Sequence, residues 1–206
     1  MNFPNTLSIL WIILTPIFVF SFLSGSAGWI FFSLIVFTAA ALTDWYDGWY
    51  ARKYGFKTRW GQFLDPLADK ILTSGAFISF YVLNTRDPRY FGTVEIIPLS
   101  LLIAVIIFRD MILTAVRSFQ ELKGKEFRTS MISKTKTFVQ MTYIFLVLVT
   151  MTISYINPGS VTAKSSESFL FSSFNYYLLL AVSFLTLASA AAYIFESKTG
   201  INSELA

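Results

Sequence analysis

Six near-continuous apolar stretches, roughly 6–23, 29–47, 66–84, 94–118, 132–155 and 172–195, occupy most of this 206-residue chain. A helix at the surface of a water-soluble domain would interleave polar residues at helical spacing, and these stretches scarcely do. Hydrocarbon solvates no backbone N–H or C=O, so only helices and closed barrels can cross it. Continuous runs without strict alternation argue against a barrel. The sequence therefore predicts an all-α, polytopic integral membrane protein with about six transmembrane helices, forming one domain over 1–206. The first 23 residues lack a basic leader and a small-residue cleavage motif, and read as mature chain.

Charge placement predicts the topology. Of the 16 Lys and Arg residues, only Arg86, Arg89 and Lys164 fall at one end of the spans; the others fall at or near the opposite end. The positive-inside bias puts that opposite end, the 119–131 loop and both termini in the cytosol. A net charge of +4 then reflects topology and attraction to anionic lipid rather than a nucleic-acid partner. Trp29, Tyr46, Trp60 and Tyr81 suit interfacial belts.

The chain holds no cysteine and no histidine. Disulfides, thiolate nucleophiles, imidazole proton transfer and His/Cys zinc sites are excluded. Acid–base work falls to Asp, Glu, Lys or Tyr, and any metal must be hard and oxygen-liganded, such as Mg²⁺ or Mn²⁺.

Acids are scarce, 12 in all, yet four of them sit between Asp44 and Asp69. Asp44 and Asp47 are three apart, and Asp65 and Asp69 four apart, so on helices each pair shares a face at about 5–6 Å. Carboxylates at membrane depth cost several kcal/mol unless a cation or hydrogen bond offsets them, roughly as for any buried charge. Two converging pairs could hold two divalent ions about 3.5–4 Å apart, an arrangement suited to displacement at phosphorus. Gly48 clears space beside Asp47 for a ligand, and Arg52 offers a planar fork for phosphate oxygens. Pro66 suits the first turn of a helix, which would put Asp65 at that helix's positive end. The competing reading is a set of helix-end ion pairs with Arg52, Lys53, Arg59 or Lys70.

The run Asp44-x2-Asp47-Gly48-x2-Ala51-Arg52-x8-Gly61-x3-Asp65-x3-Asp69 resembles the complete signature of the CDP-alcohol phosphatidyltransferase family. Asn2-Phe-Pro-Asn5, Arg109-Asp-x6-Arg117 and Lys134-Thr-Lys136-Thr137 are similar to the bacterial branch that makes phosphatidylglycerophosphate. The resemblance implies a cytosol-facing active-site cavity in the bacterial inner membrane. It implies two Mg²⁺ or Mn²⁺ ions on Asp44, Asp47, Asp65 and Asp69, with Asp69 also taking the proton of the acceptor hydroxyl. It implies CDP-diacylglycerol contacts from Asn5, Gly48, Arg52, Thr58 and Gly61, attack on the β-phosphorus, release of CMP, and a homodimer.

Arg109, Arg117, Lys134 and Lys136 near the cytosolic ends of spans four and five form a candidate pocket for an anionic acceptor. sn-Glycerol 3-phosphate, a dianion, fits such a pocket; serine or choline would not need it. Lys134 and Lys136 are too close in sequence to share one helix face fully, so one of them is expected only to mark topology. Other acceptors (inositol phosphate, serine, phosphatidylglycerol) stay open, as does a divalent-cation transporter, although a transporter should hold its acids near mid-membrane. One departure stands out: relatives commonly carry a basic residue near the N-terminal Pro-Asn stretch, where this chain has Ile9, Leu10 and Trp11.

Overall fold

A computed structural model describes the backbone of residues 3–54, 59–92, 96–122 and 131–204, and the side chains of 10–43, 66–92, 96–119 and 132–193. Among the described residues all regular structure is helical: α1 (Phe3–Leu23), α2 (Ala27–Tyr54), α3 (Arg59–Arg86), α4 (Leu99–Leu122), α5 (Met131–Ile156), α6 (Val161–Leu170) and α7 (Ser173–Glu204). Within them, Leu99–Phe119, Ile132–Ile156 and Ser173–Tyr193 are long and apolar enough to cross a bilayer. Leu10–Leu23 and Ala27–Thr43 are shorter apolar segments. Large apolar side chains such as Phe20, Phe108, Phe138 and Phe184 point outward. An outer surface this apolar belongs in lipid, and the chain is a membrane protein.

Helix α1 packs on α2 and α3, α3 on α4, α2 on α5, and α7 on α4 and α5. α3 meets α1 tightly at Gly75, where a Cβ would stand 2.9 Å from Thr15 Cγ2 and 3.3 Å from Val19 Cγ2 of α1. Small residues of this kind let membrane helices meet backbone to backbone. Gly75→Leu is therefore expected to cost about 1–3 kcal/mol of stability by overpacking. A lowered thermal midpoint in detergent, larger than that of Gly75→Ala, checks this.

One half of the bundle is aromatic. Phe18 packs on both Phe22 and Phe37, Phe22 packs on Phe80, and Phe77 stacks on Tyr143 with ring centroids 6.4 Å apart. The Tyr143 hydroxyl donates to Asn175 Oδ1 at 3.0 Å, tying α5 to α7. Tyr176 of α7 accepts from the Ile97 N–H at 2.8 Å and donates to the Ile97 carbonyl at 2.9 Å. Both polar rings thus find partners in a region without water. Arg86 caps the last turn of α1 by donating to the Leu23 carbonyl at 2.6 Å, a cation at a helix C-terminus. In the turn that follows, Arg89 pairs with Asp87 and holds its carboxyl below the ordinary range.

Three features differ from the sequence expectation. α3 begins at Arg59, so Pro66 lies inside the helix rather than in its first turn. Proline there removes the N–H that would have met the Gln62 carbonyl and crowds that carbonyl with its ring; the contacts with α1 and α4 offset this and carry the helix through. α4 begins at Leu99, after Pro98, instead of near 94. The Ser/Thr-rich stretch after Gly159, which lies between the last two apolar runs and outside both, forms α6. The Ser160 side chain caps it by accepting from the Ala163 N–H at 3.0 Å, and burial of Ala163 and Leu170 against α5 outweighs the weak helix propensity of its serines.

Candidate active site

At the end of the bundle opposite the Arg86 turn, α3, α4, α5 and α7 enclose a cavity of about 600 Å³. Three of these helices, α3, α4 and α5, line it with charged side chains, where the other half of the bundle carries rings. The α3 wall supplies Pro66, Asp69 and Lys70. From α4 come Arg109, Leu113 and Arg117, spaced by four and therefore on one face, with Thr114 and Ser118 beside them. α5 contributes Ser133, Lys134, Lys136 and Thr137, and α7 adds Tyr193.

Asp69 is largely buried, and its Oδ2 is ion-paired with Lys70. Its other oxygen, Oδ1, is buried with no hydrogen-bond partner among the described residues. The Thr73 hydroxyl donates to the Asp69 carbonyl at 3.0 Å, a link within the helix. An orphaned carboxylate oxygen in a site without nitrogen or sulfur ligands fits a hard divalent cation.

Behind the α4 and α5 walls lies Asp110, 3% exposed. Its Oδ1 accepts from Lys136 Nζ at 2.5 Å and from Arg109 Nη1 at 2.9 Å, and its Oδ2 accepts from Gln140 Nε2 at 3.1 Å. Arg109 Nη2 donates onward to Ser189 Oγ of α7 at 2.6 Å. Gln140 Nε2 also reaches Thr186 Oγ1 at 3.3 Å.

Five residues singled out from the sequence, Asp69, Arg109, Arg117, Lys134 and Lys136, line this one cavity. Both lysines line it, Lys134 exposed and Lys136 buried. The remaining candidates fall outside the described side chains. Asp44, Asp47, Gly48 and Arg52 are on α2, Gly61 and Asp65 on α3, and Asn5 on α1; Thr58 lies outside the described residues altogether. Trp11, at the point of departure from relatives, is buried in the apolar core. Sequence reasoning missed Asp110 as a partner, and missed all of α7. A lone charge in an apolar run was the available signal for Asp110; for Ser189 and Tyr193 there was none.

The profile of the CDP-alcohol phosphatidyltransferase family matches residues 1–192. The chain belongs to that family. Among its relatives is a Wigglesworthia glossinidia brevipalpis protein named CDP-diacylglycerol–glycerol-3-phosphate 3-phosphatidyltransferase. It is 34% identical over 183 residues, 88% of this chain and 95% of its own length. Proteins of the same name from Escherichia coli (strain K12) and Salmonella typhimurium are 37% identical over 142 residues, 68% of this chain and 72% of theirs. The protein is therefore an enzyme, a CDP-alcohol phosphatidyltransferase, and the cavity is its candidate active site.

Proposed function

We propose that this phosphatidyltransferase moves the phosphatidyl group of CDP-diacylglycerol to sn-glycerol 3-phosphate, giving phosphatidylglycerophosphate and CMP. The observation that carries the reading is the cavity in which Asp69 shares walls with Arg109, Arg117, Lys134 and Lys136. Its volume lies in the range of small-molecule sites, roughly 300–1,000 Å³. A dianionic acceptor is favoured by convergent cations, whereas a neutral alcohol gains nothing from them. The names of the relatives point to the same pair of substrates.

In this reading Arg109, Arg117, Lys134 and Lys136 hold the acceptor phosphate, and Asp69 accepts the proton of its hydroxyl. The freed oxygen attacks the β-phosphorus, the bond from that phosphorus to the bridging oxygen breaks, and CMP departs with the bond electrons. Asn5, Gly48, Arg52, Thr58 and Gly61 would bind the liponucleotide, Arg52 through its diphosphate. Asp44, Asp47, Asp65 and Asp69 would hold two Mg²⁺ or Mn²⁺ ions. When bound, such ions neutralise charge gathering on the diphosphate and acidify the acceptor hydroxyl.

The same proposal places the enzyme in the bacterial cytoplasmic membrane as a multi-pass protein of one domain, 1–206. The cavity and both termini would be cytosolic, supported by the clustering of Lys and Arg at the cavity end. A homodimer is proposed on family resemblance. CMP release from CDP-diacylglycerol by detergent-solubilised protein, with a panel of acceptors, is the test. Glycerol 3-phosphate should drive it best, and chelation of divalent ions should stop it. Equal or faster release with serine, inositol phosphate or phosphatidylglycerol would overturn the assigned acceptor.

A further inference from the structure

Asp110 does not line the cavity, yet it touches two of the cations that do. Both Lys136 Nζ and Arg109 Nη1 converge on its Oδ1, at 2.5 and 2.9 Å, and all three side chains are largely withdrawn from solvent. Its second oxygen is held by Gln140, and Arg109 is held from its far side by Ser189. Three helices, α4, α5 and α7, thus meet in one polar chain that runs Ser189–Arg109–Asp110–Lys136, with Gln140 and Thr186 alongside.

We propose that Asp110 is a positioning residue for the acceptor. It fixes Arg109 and Lys136 against the cavity wall and offsets one of their two charges, so that the acceptor phosphate meets cations already oriented. This deepens the acceptor reading above and rests on it. Two buried cations side by side repel, and a buried lysine without a counter-ion is costly to keep charged. A carboxylate at 2.5 Å offsets part of both penalties while leaving the pair with a net positive charge toward the cavity. Preorganisation of this kind lowers the entropy lost when the ligand binds. It also gives α7 a part in the reaction: Ser189 aims Arg109 without touching substrate.

The bland alternative is a polar staple that only holds three helices together. Kinetics of the full chain in mixed micelles separate the two. Asp110→Asn keeps the shape and removes the charge. It should raise KM for glycerol 3-phosphate about tenfold or more, the loss expected for charge-assisted hydrogen bonds, with KM for CDP-diacylglycerol within about twofold of the unmodified value. In a Lys136→Gln background the same change should add less than it does in the unmodified chain, because one of the two groups it acts through is gone and only Arg109 remains. An unchanged acceptor KM, or effects of the two substitutions that multiply, would leave only the staple.

Should Asp110→Asn fail to fold, Ser189→Ala still frees Arg109 without stranding a charge. It should raise the acceptor KM by about threefold to tenfold and leave the lipid KM alone; no change in the acceptor KM overturns the proposal. Failure of the acceptor reading looks different. It appears in the unmodified protein as CMP release indifferent to glycerol 3-phosphate, and takes the Asp110 proposal with it. Failure of the proposal alone appears as a normal glycerol 3-phosphate response that Asp110→Asn leaves intact.

Discussion

Asp69→Asn is expected to abolish CMP release, lowering kcat by about 10³-fold or more. Loss of a positioned general base alone costs roughly 10²–10⁴ in rate, and the substitution also weakens a metal ligand in the proposed site. The chain has no histidine to take over the proton. The fold should survive, because Asn is isosteric, its amide oxygen can still accept from Lys70, and the Thr73 bond goes to the Asp69 backbone carbonyl rather than to the carboxylate. Liponucleotide binding should survive as well, and better than after Asp47→Asn, since Asp47 is proposed to act only through the metals and the diphosphate. Parallel measurements of turnover and of CDP-diacylglycerol binding check both halves. A variant that retains wild-type rates would remove Asp69 from the role of base.

What could be read in the sequence was the chemistry carried by local spacing. Pairs of aspartates three and four apart share helix faces whatever surrounds them, and apolar runs of bilayer length can only be helices. The basic pocket was legible for a related reason: Arg109 and Arg117 differ by eight residues, two helical turns and a little more, and so remain on one side of α4. Contacts between distant segments were not legible. Asp110 and Lys136 are 26 residues apart and Arg109 and Ser189 are 80 apart, and no pattern in either helix announces the pairing. Pro66 misled because the same residue serves a helix's first turn and, with support from neighbours, its interior. The serines of α6 misled because propensity is a weak term beside burial against α5. Trp11 shows the reverse case: an oddity in the motif that the fold absorbs as core.

Arg109→Ala should raise KM for glycerol 3-phosphate by about 10- to 100-fold, with kcat and KM for CDP-diacylglycerol much less affected. Arg109 spans two anchors, Asp110 on its own helix and Ser189 on α7, so its guanidinium plane is set before any ligand arrives. Asp110 keeps Lys136 and Gln140 after the truncation, which limits the damage to the fold. Lys134, exposed at the cavity, should give a smaller increase when changed to Ala, because water already screens it. Arg109→Lys should restore only part of the affinity: one ammonium cannot reach both anchors and still face the cavity as a planar fork does. If Arg109→Ala instead lowers kcat with both KM values unchanged, the residue serves the chemical step and the basic wall does not define the acceptor. The anionic part of the acceptor would then have to be held elsewhere, and the cations lining the cavity with Asp69 would serve the diphosphate of the donor.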